Sequence, residues 1–138
     1  MGDSQLERAR NVFGADHFAA LTGVTIEQVG DHEAVCTLSV EERHRNARGV
    51  VMGGVLFTVA DFCAAVAANS TLLTQQSPLA WVSLDSTIHF LAPGTGNQLV
   101  ATCSALKLGR TTSLYQTKIE SPDQGKQIAL VETTMIHV

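Results

Sequence analysis

The stretch from Gly53 to Asn69, GGVLFTVADFCAAVAAN, leaves few folds open to the chain that carries it. Drawn as a helix, Val55 to Ala68 puts valine, leucine, phenylalanine or alanine on every side, with no polar stripe to face water. A helix apolar all round is one that a fold buries. It is also shorter than the roughly 20 strongly apolar residues a membrane span requires. A central helix wrapped by the rest of the chain is therefore predicted, and its one carboxylate, Asp61, stands out. Burying an ionised carboxylate costs several kcal/mol unless it is paired, and within the helix only Thr58 and Cys63 are polar neighbours. Asp61 is either a core carboxylate satisfied by another element or chain, or a general base or nucleophile held in a dry site.

The start of the helix favours chemistry. Asn46, Gly49, Met52, Gly53 and Gly54 lead into it, with no Ser, Thr or Asp where a capping side chain normally sits. The first N–H groups of a helix have no partner within it, and paired glycines let a ligand approach that backbone. Open donors at the positive end of a helix suit an oxyanion or other anion. Gly53 and Asp61 lie eight residues apart, about 12 Å along a helix, whereas a reacting carbonyl must lie about 3 Å from both donor and base. If the two act together they come from different protomers, so this reading predicts an obligate homodimer.

At 138 residues the chain is long enough for one domain with a single core. Its net charge of −4 offers no basic face for nucleic acid. Cys36, Cys63 and Cys103 are an odd set in apolar contexts, as expected of buried thiols in a reducing compartment. Neither they nor the histidines show metal-ligand spacing, so no metal is expected. MGDSQLERARNVF has no apolar run of signal-peptide type, and a cytoplasmic protein without membrane contact is expected.

Residues 4–13 have a helical period, and a second short helix is predicted from Asp16, as N-cap, to Leu21, with Gly23 ending it. Residues 1–23 thus form a helical lead-in. Strands are predicted over Thr25–Val29 and Ala34–Val40, then a polar loop over Glu41–Val51 that delivers the chain to the central helix. Ser70–Pro78 reads as a connection. Four further strands follow, Ala80–Leu91, Gln98–Leu108, Thr112–Glu120 and Ile128–His137, punctuated by Gly- and Pro-containing turns. An antiparallel sheet packed on one long helix results, an α+β domain spanning 1–138. Alternation within the first of these four strands assigns Val82, Leu84, Ile88 and Phe90 to one face and Ser83, Asp85, Thr87 and His89 to the other.

In this order and spacing, Asn46, Gly49, Gly53, Gly54 and Asp61 resemble the signature of the hotdog-fold acyl-CoA thioesterases of phenylacetate-degradation type. Val82-Ser83-Leu84-Asp85 leading to Phe90 and Pro93-Gly94, and then Gly109-Arg110-Thr111, are similar to the same family. The resemblance runs from Phe18 to Val138. It implies a hotdog fold, an antiparallel sheet wrapped around one long helix, and hydrolysis of acyl-CoA thioesters with an aromatic or medium-to-long acyl chain to free acid and coenzyme A, the coenzyme A being part of the substrate and no separate cofactor being needed. It further implies Asp61 as base or nucleophile, the Gly53 N–H as polariser of the carbonyl, Asn46 as substrate-positioning group and Ser83 as orienter of the attacking water. Met52, Gly54, Arg110 and Thr111 become substrate-binding residues, and sites shared between protomers of a dimer, often paired into tetramers, are expected.

Met52 departs from the pattern, since the family usually has histidine there and a thioether neither donates a hydrogen bond nor carries charge. A non-catalytic acyl-CoA-binding module is the alternative reading. A hydratase is disfavoured, because no histidine flanks Asp61 or the helix start. Arg43, Arg45, Arg48, Lys107 and Arg110 are candidates for coenzyme A phosphates or for solvated surface charge. His44 and His89 read as structural or exposed. Phe57, Phe62, Trp81 and Phe90 fit either an acyl pocket or the core.

Overall fold

The computed structural model describes residues 2–138. Helices α1 (Gly2–Phe13) and α2 (His17–Thr22) lead into strands β1 (Thr25–Gly30) and β2 (Glu33–Ser39). A 3₁₀ turn at Glu42–His44 precedes α3 (Gly53–Ala68). The segment expected as a bare connection contains a one-turn helix, α4 (Ser70–Thr74), before β3 (Trp81–Phe90), β4 (Gln98–Lys107), β5 (Thr112–Ser121) and β6 (Lys126–His137). All strand pairings are antiparallel, in the order β1-β2-β4-β5-β6-β3.

Small side chains let α3 lie close against this sheet. Val59, Ala60, Cys63, Ala64, Val66 and Ala67 are fully buried and meet Cys36, Leu38, Ala101, Tyr115, Ile119, Val131 and Met135 in one core. Behind α3, Phe62 receives the ring of Phe13 from α1 edge-on, at 5.8 Å between centroids. The Arg10 guanidinium donates to the Ile26 carbonyl at 2.8 and 3.0 Å and fastens α1 to β1.

Two sequence expectations are overturned. Helix α3 is not covered on all sides, because Gly54, Phe57 and Asp61 form an exposed line along it. An apolar pattern shows what a helix tolerates, not which neighbour covers each face. The strict alternation of β3 also fails. Ser83 pairs with Met135 and Asp85 with Thr134, so Leu84 is an extra residue opposite no partner, which is a β-bulge. Residues opposite each other on a ladder share a face. Ser83, Ser86, Ile88 and Phe90, paired with buried Met135, Thr133, Val131 and Ala129, therefore face the helix, while Val82, Asp85, Thr87 and His89 face outward.

The chain passes from α3 to β3 through Asn69, which is 1% exposed. Its Nδ2 donates to the carbonyls of Ala65 (2.9 Å) and Trp81 (3.1 Å). Its Oδ1 accepts the N–H groups of Ala80 and Trp81, each at 3.0 Å. One side chain thus fixes where β3 begins relative to the end of α3.

Candidate active site

The bulge has turned Ser83 toward α3, and its Oγ donates to Asp61 Oδ1 at 3.0 Å. An exposed carboxylate on a helix and an exposed hydroxyl on an edge strand are thereby joined into one polar pair. The pair sits amid exposed apolar groups, with Phe57, Val82 and Leu84 all more than a third exposed.

The second group of predicted residues lies two turns away from Asp61, at the N-terminal end of α3. Met52 is the N-cap, in extended conformation, with no side-chain cap bond. Its carbonyl accepts the N–H groups of Val55 and Leu56, so the N–H groups of Gly53 and Gly54 have no acceptor among the described residues. A side chain at Gly53 would be held against Phe90, since a Cβ there would lie 3.0 Å from the ring. Gly53 is therefore also a packing glycine, and the ring of Phe90 rests on the helix start. Beside it lies a cavity of about 420 Å³ walled by Val51, Leu56, Leu91 and Pro93.

Asn46 holds the loop that leads to this end. Its Oδ1 accepts the N–H groups of Arg48 (2.9 Å) and Val50 (3.3 Å), and its carbonyl accepts Gly49 N–H across a turn in which Gly49 has φ +82°. That conformation favours glycine. The Asn46 amide NH₂ remains free to donate, with no acceptor among the described residues.

The loop arginines divide by role. Arg43 bonds the carbonyls of Leu21 and Thr22 and the Glu41 carboxylate, and Arg45 bonds those of Gly49 and Gly96. Both are committed to structure, whereas Arg48, Lys107 and Arg110 are exposed. Arg110 and Thr111 form the β4–β5 turn, tied to the end of β6 by His137 N–H to Thr111 O at 2.8 Å. Buried His44 accepts Glu41 N–H at Nδ1 and reaches the Thr22 carbonyl through Nε2 at 2.7 Å, so it is a structural histidine. Of the four aromatic candidates, Phe62 is core, Trp81 packs edge-on against His137, and Phe57 and Phe90 are exposed.

One neighbour of the pair is Asp16, the predicted N-cap of α2. Asp16 precedes α2 but makes no side-chain cap bond, and it lines a cavity of about 390 Å³ together with Asp61. Burial first, and then the charge of Asp61, raise its pKa above the ordinary aspartate value of 3.8, against a lowering by His17. The cysteines are remote from this chemistry. Cys63 is buried in contact with Cys36, whose thiol together with burial pushes the Cys63 pKa well up, and burial, with Cys63, pushes Cys103 up to about 12. Thiols so held stay protonated and unreactive. Among the described residues no three metal-binding side chains converge, and no helix is long and apolar enough to cross a membrane.

A six-stranded antiparallel sheet curved around one central helix, with a carboxylate on the helix facing an edge strand, is the hotdog fold of thioester-cleaving enzymes. The chain belongs to the thioesterase superfamily, whose family model matches residues 48–128. It is 32% identical over 131 residues to the acyl-coenzyme A thioesterase PaaI of Escherichia coli K12, covering 94% of this chain and 89% of that protein. To human acyl-coenzyme A thioesterase 13 it is 29% identical over 131 residues, covering 94% and 91%. The structure of E. coli PaaI, from the phenylacetic acid degradation operon, superposes with a TM-score of 0.86 at 29% identity over 99% of this chain and 95% of that one. A hypothetical thioesterase from Streptococcus pneumoniae TIGR4, solved with coenzyme A, gives 0.79 at 26% identity over 94% and 96%.

Proposed function

We propose that the protein hydrolyses acyl-CoA thioesters in sites shared between two copies of the chain. The observation that carries this reading is the Ser83–Asp61 hydrogen bond, which aims a carboxylate and a hydroxyl at one point on an open face. Asp61 takes a proton from water as the water oxygen attacks the thioester carbonyl carbon, and Ser83 orients the carboxylate and the water. The oxyanion that develops is met by the N–H of Gly53 from the partner. The C–S bond then breaks, and the departing thiolate takes the proton from Asp61, leaving free acid and coenzyme A. Asn46, through its free NH₂, and Gly54 hold the substrate beside that donor, and the exposed Arg110 pairs with the phosphates. Support for coenzyme A as the thiol comes from the names of the relatives and from the bound molecule in the streptococcal structure.

The two edges of the sheet support pairing through β3. β1 is short, carries Glu27 at a bulge and is backed by α1, features that blunt an edge. β3 is a ten-residue open edge with exposed Val82, Leu84 and Phe90. If two β3 strands pair antiparallel about a two-fold axis, the Ser83 end of each meets the Phe90 end of the other. Asp61 and Ser83 of one protomer then face Gly53 of its partner, as the spacing along α3 requires.

Asp61→Asn, which keeps the shape and the bond from Ser83, is expected to lower turnover of acyl-CoA at least a hundredfold while binding persists. Full turnover in the folded variant would remove Asp61 from the mechanism. Binding without turnover in the wild-type protein would favour the non-catalytic module and point to Met52 as its cause.

A further inference from the structure

The outward face of β3 carries charged and titratable groups that the chain leaves unpaired. Asp85, Thr87 and His89 lie on that face, and all three are exposed. On β6, Glu132 stands opposite Thr87 and so flanks both Asp85 and His89, whose own opposites are Thr134 and Leu130. On β5, Gln116 lies opposite Glu132 and Lys118 opposite Leu130. The one ion pair among the described residues joins Arg43 to Glu41, so Asp85, His89 and Glu132 form none there. Two carboxylates against one imidazole leave this open edge short of positive charge.

A second copy can supply that charge in one register. Leu91 N–H donates to the Ile128 carbonyl, so on the ladder's two-residue period the N–H groups of His89 and Thr87 also point to β6, and those of Ser86, Ile88 and Phe90 point to the open edge. Beyond the bulge, the regular stretch of β3 runs from Asp85 to Phe90. Central registers in which a two-fold axis keeps like faces together set Ser86, Thr87 or Ile88 opposite its own copy. With Ser86 on the axis, Asp85 meets Thr87 and His89 meets the bulge. With Ile88 there, Asp85 meets Leu91 and His89 meets Thr87. With Thr87 there, Asp85 of each copy meets His89 of the other. We propose that Asp85 and His89 form a reciprocal charge clasp between two copies and that the clasp fixes this register. It rests on the β3 pairing proposed for the two copies. The clasped residues oppose each other without backbone hydrogen bonds, the arrangement in which Cα atoms stand about 4.5 Å apart and side chains are closest. Each imidazole then lies between the partner's Asp85 and its own chain's Glu132. A slip of two residues would displace one copy by about 7 Å along the other. Because Phe90 rests on Gly53, that slip carries the donor away from the partner's Asp61, and no carbonyl could then lie about 3 Å from both.

Thr87→Cys reads the register directly. On the axis its two copies stand within reach of a disulfide, which spans Cα atoms about 4.4–6.8 Å apart. Cys36, Cys63 and Cys103 are buried and do not compete. An aromatic disulfide reagent oxidises the two thiols to the cross-link and is itself reduced to two thiols. Thr87→Cys is expected to yield covalent dimer at least about tenfold faster than Ser86→Cys or Ile88→Cys. Faster cross-linking from either of those, or none from Thr87→Cys in a dimer demonstrated by sedimentation, would overturn the register. Charge exchange tests the clasp itself. His89→Asp sets carboxylate against carboxylate and is expected to weaken the dimer Kd at least about tenfold, the equivalent of about 1.4 kcal/mol. Adding Asp85→His exchanges the charges and is expected to restore most of that loss. Because histidine gains its charge between about pH 8 and pH 5, the wild-type dimer is expected to tighten several-fold from pH 8 to pH 6, and His89→Gln to remove the effect. A double variant no tighter than His89→Asp alone, or a pH dependence that survives in His89→Gln, would overturn the clasp. A wild type that dimerises with this profile yet hydrolyses no acyl-CoA overturns the hydrolytic reading alone.

Discussion

Asp61 depends on a single described neighbour for its orientation. The bond from Ser83 Oγ is one hydroxyl donating to one carboxylate oxygen at 3.0 Å, and hydrogen bonds to charged groups contribute about 1.5–3 kcal/mol. Ser83→Ala is therefore expected to lower kcat by roughly tenfold to a hundredfold with little change in KM, checked by steady-state kinetics. Asp16 provides a stability test with a defined sign. The folded chain holds the Asp16 proton more tightly than the unfolded chain does, since its pKa is raised from 3.8 by burial and by Asp61. Stability from this group therefore falls as pH rises from that value through the folded pKa. Asp16→Asn removes the effect and sacrifices no cap bond, so its melting temperature should exceed the wild-type value at neutral pH, the gain disappearing below about pH 3.5. Thermal melts at both pH values decide it.

At the scale of elements, the joint between α3 and β3 controls where Ser83 sits along Asp61. All four hydrogen-bonding positions of the Asn69 amide are used at that joint. Asn69→Ala is expected to cost about 3 kcal/mol, read by denaturant unfolding. Asn69→Asp should be worse at neutral pH, because a carboxylate oxygen would then face the carbonyls of Ala65 and Trp81, and better below about pH 4, where the group regains a donor. The helix start was legible in the sequence, because two glycines after an uncapped Met52 are a local chemical statement. The phase of β3 was not, since a bulge is defined by a partner strand some fifty residues away in the chain. Nor was the exposure of Asp61. Alanine-rich turns reveal that a helix face can be buried and say nothing about whether its own chain buries it.

The whole molecule contains both halves of the proposed site but does not bring them together within one chain. Gly53→Pro tests this division while preserving the helix. Proline is favoured at the first helical position, Met52 already has the extended conformation required before proline, and Phe90→Ala makes room for the added ring atoms. The double variant lacks only the N–H and the covering aromatic ring, and Asp61→Asn lacks only the base. Each is expected to be nearly inactive alone. Refolded together in equal amounts they form heterodimers carrying one intact site, and activity should return to about a quarter of the wild-type value. Absence of recovery, with heterodimers demonstrated by native mass spectrometry, would place donor and base in one protomer.

Leu84 has a consequence beyond the face to which each residue points. Every pairing of β3 with β6 on either side of it is satisfied without it, so a chain lacking this residue would assemble the same ladder with the same neighbours opposed. Lost with it would be the local bend that a bulge imposes, and with the bend the approach of Ser83 to Asp61. Insertions and deletions are ordinarily tolerated in loops because nothing depends on their length. Here a change of one residue within a strand is nearly silent for folding and audible in the chemistry, so relatives that differ in length at this position would keep the architecture while differing in rate.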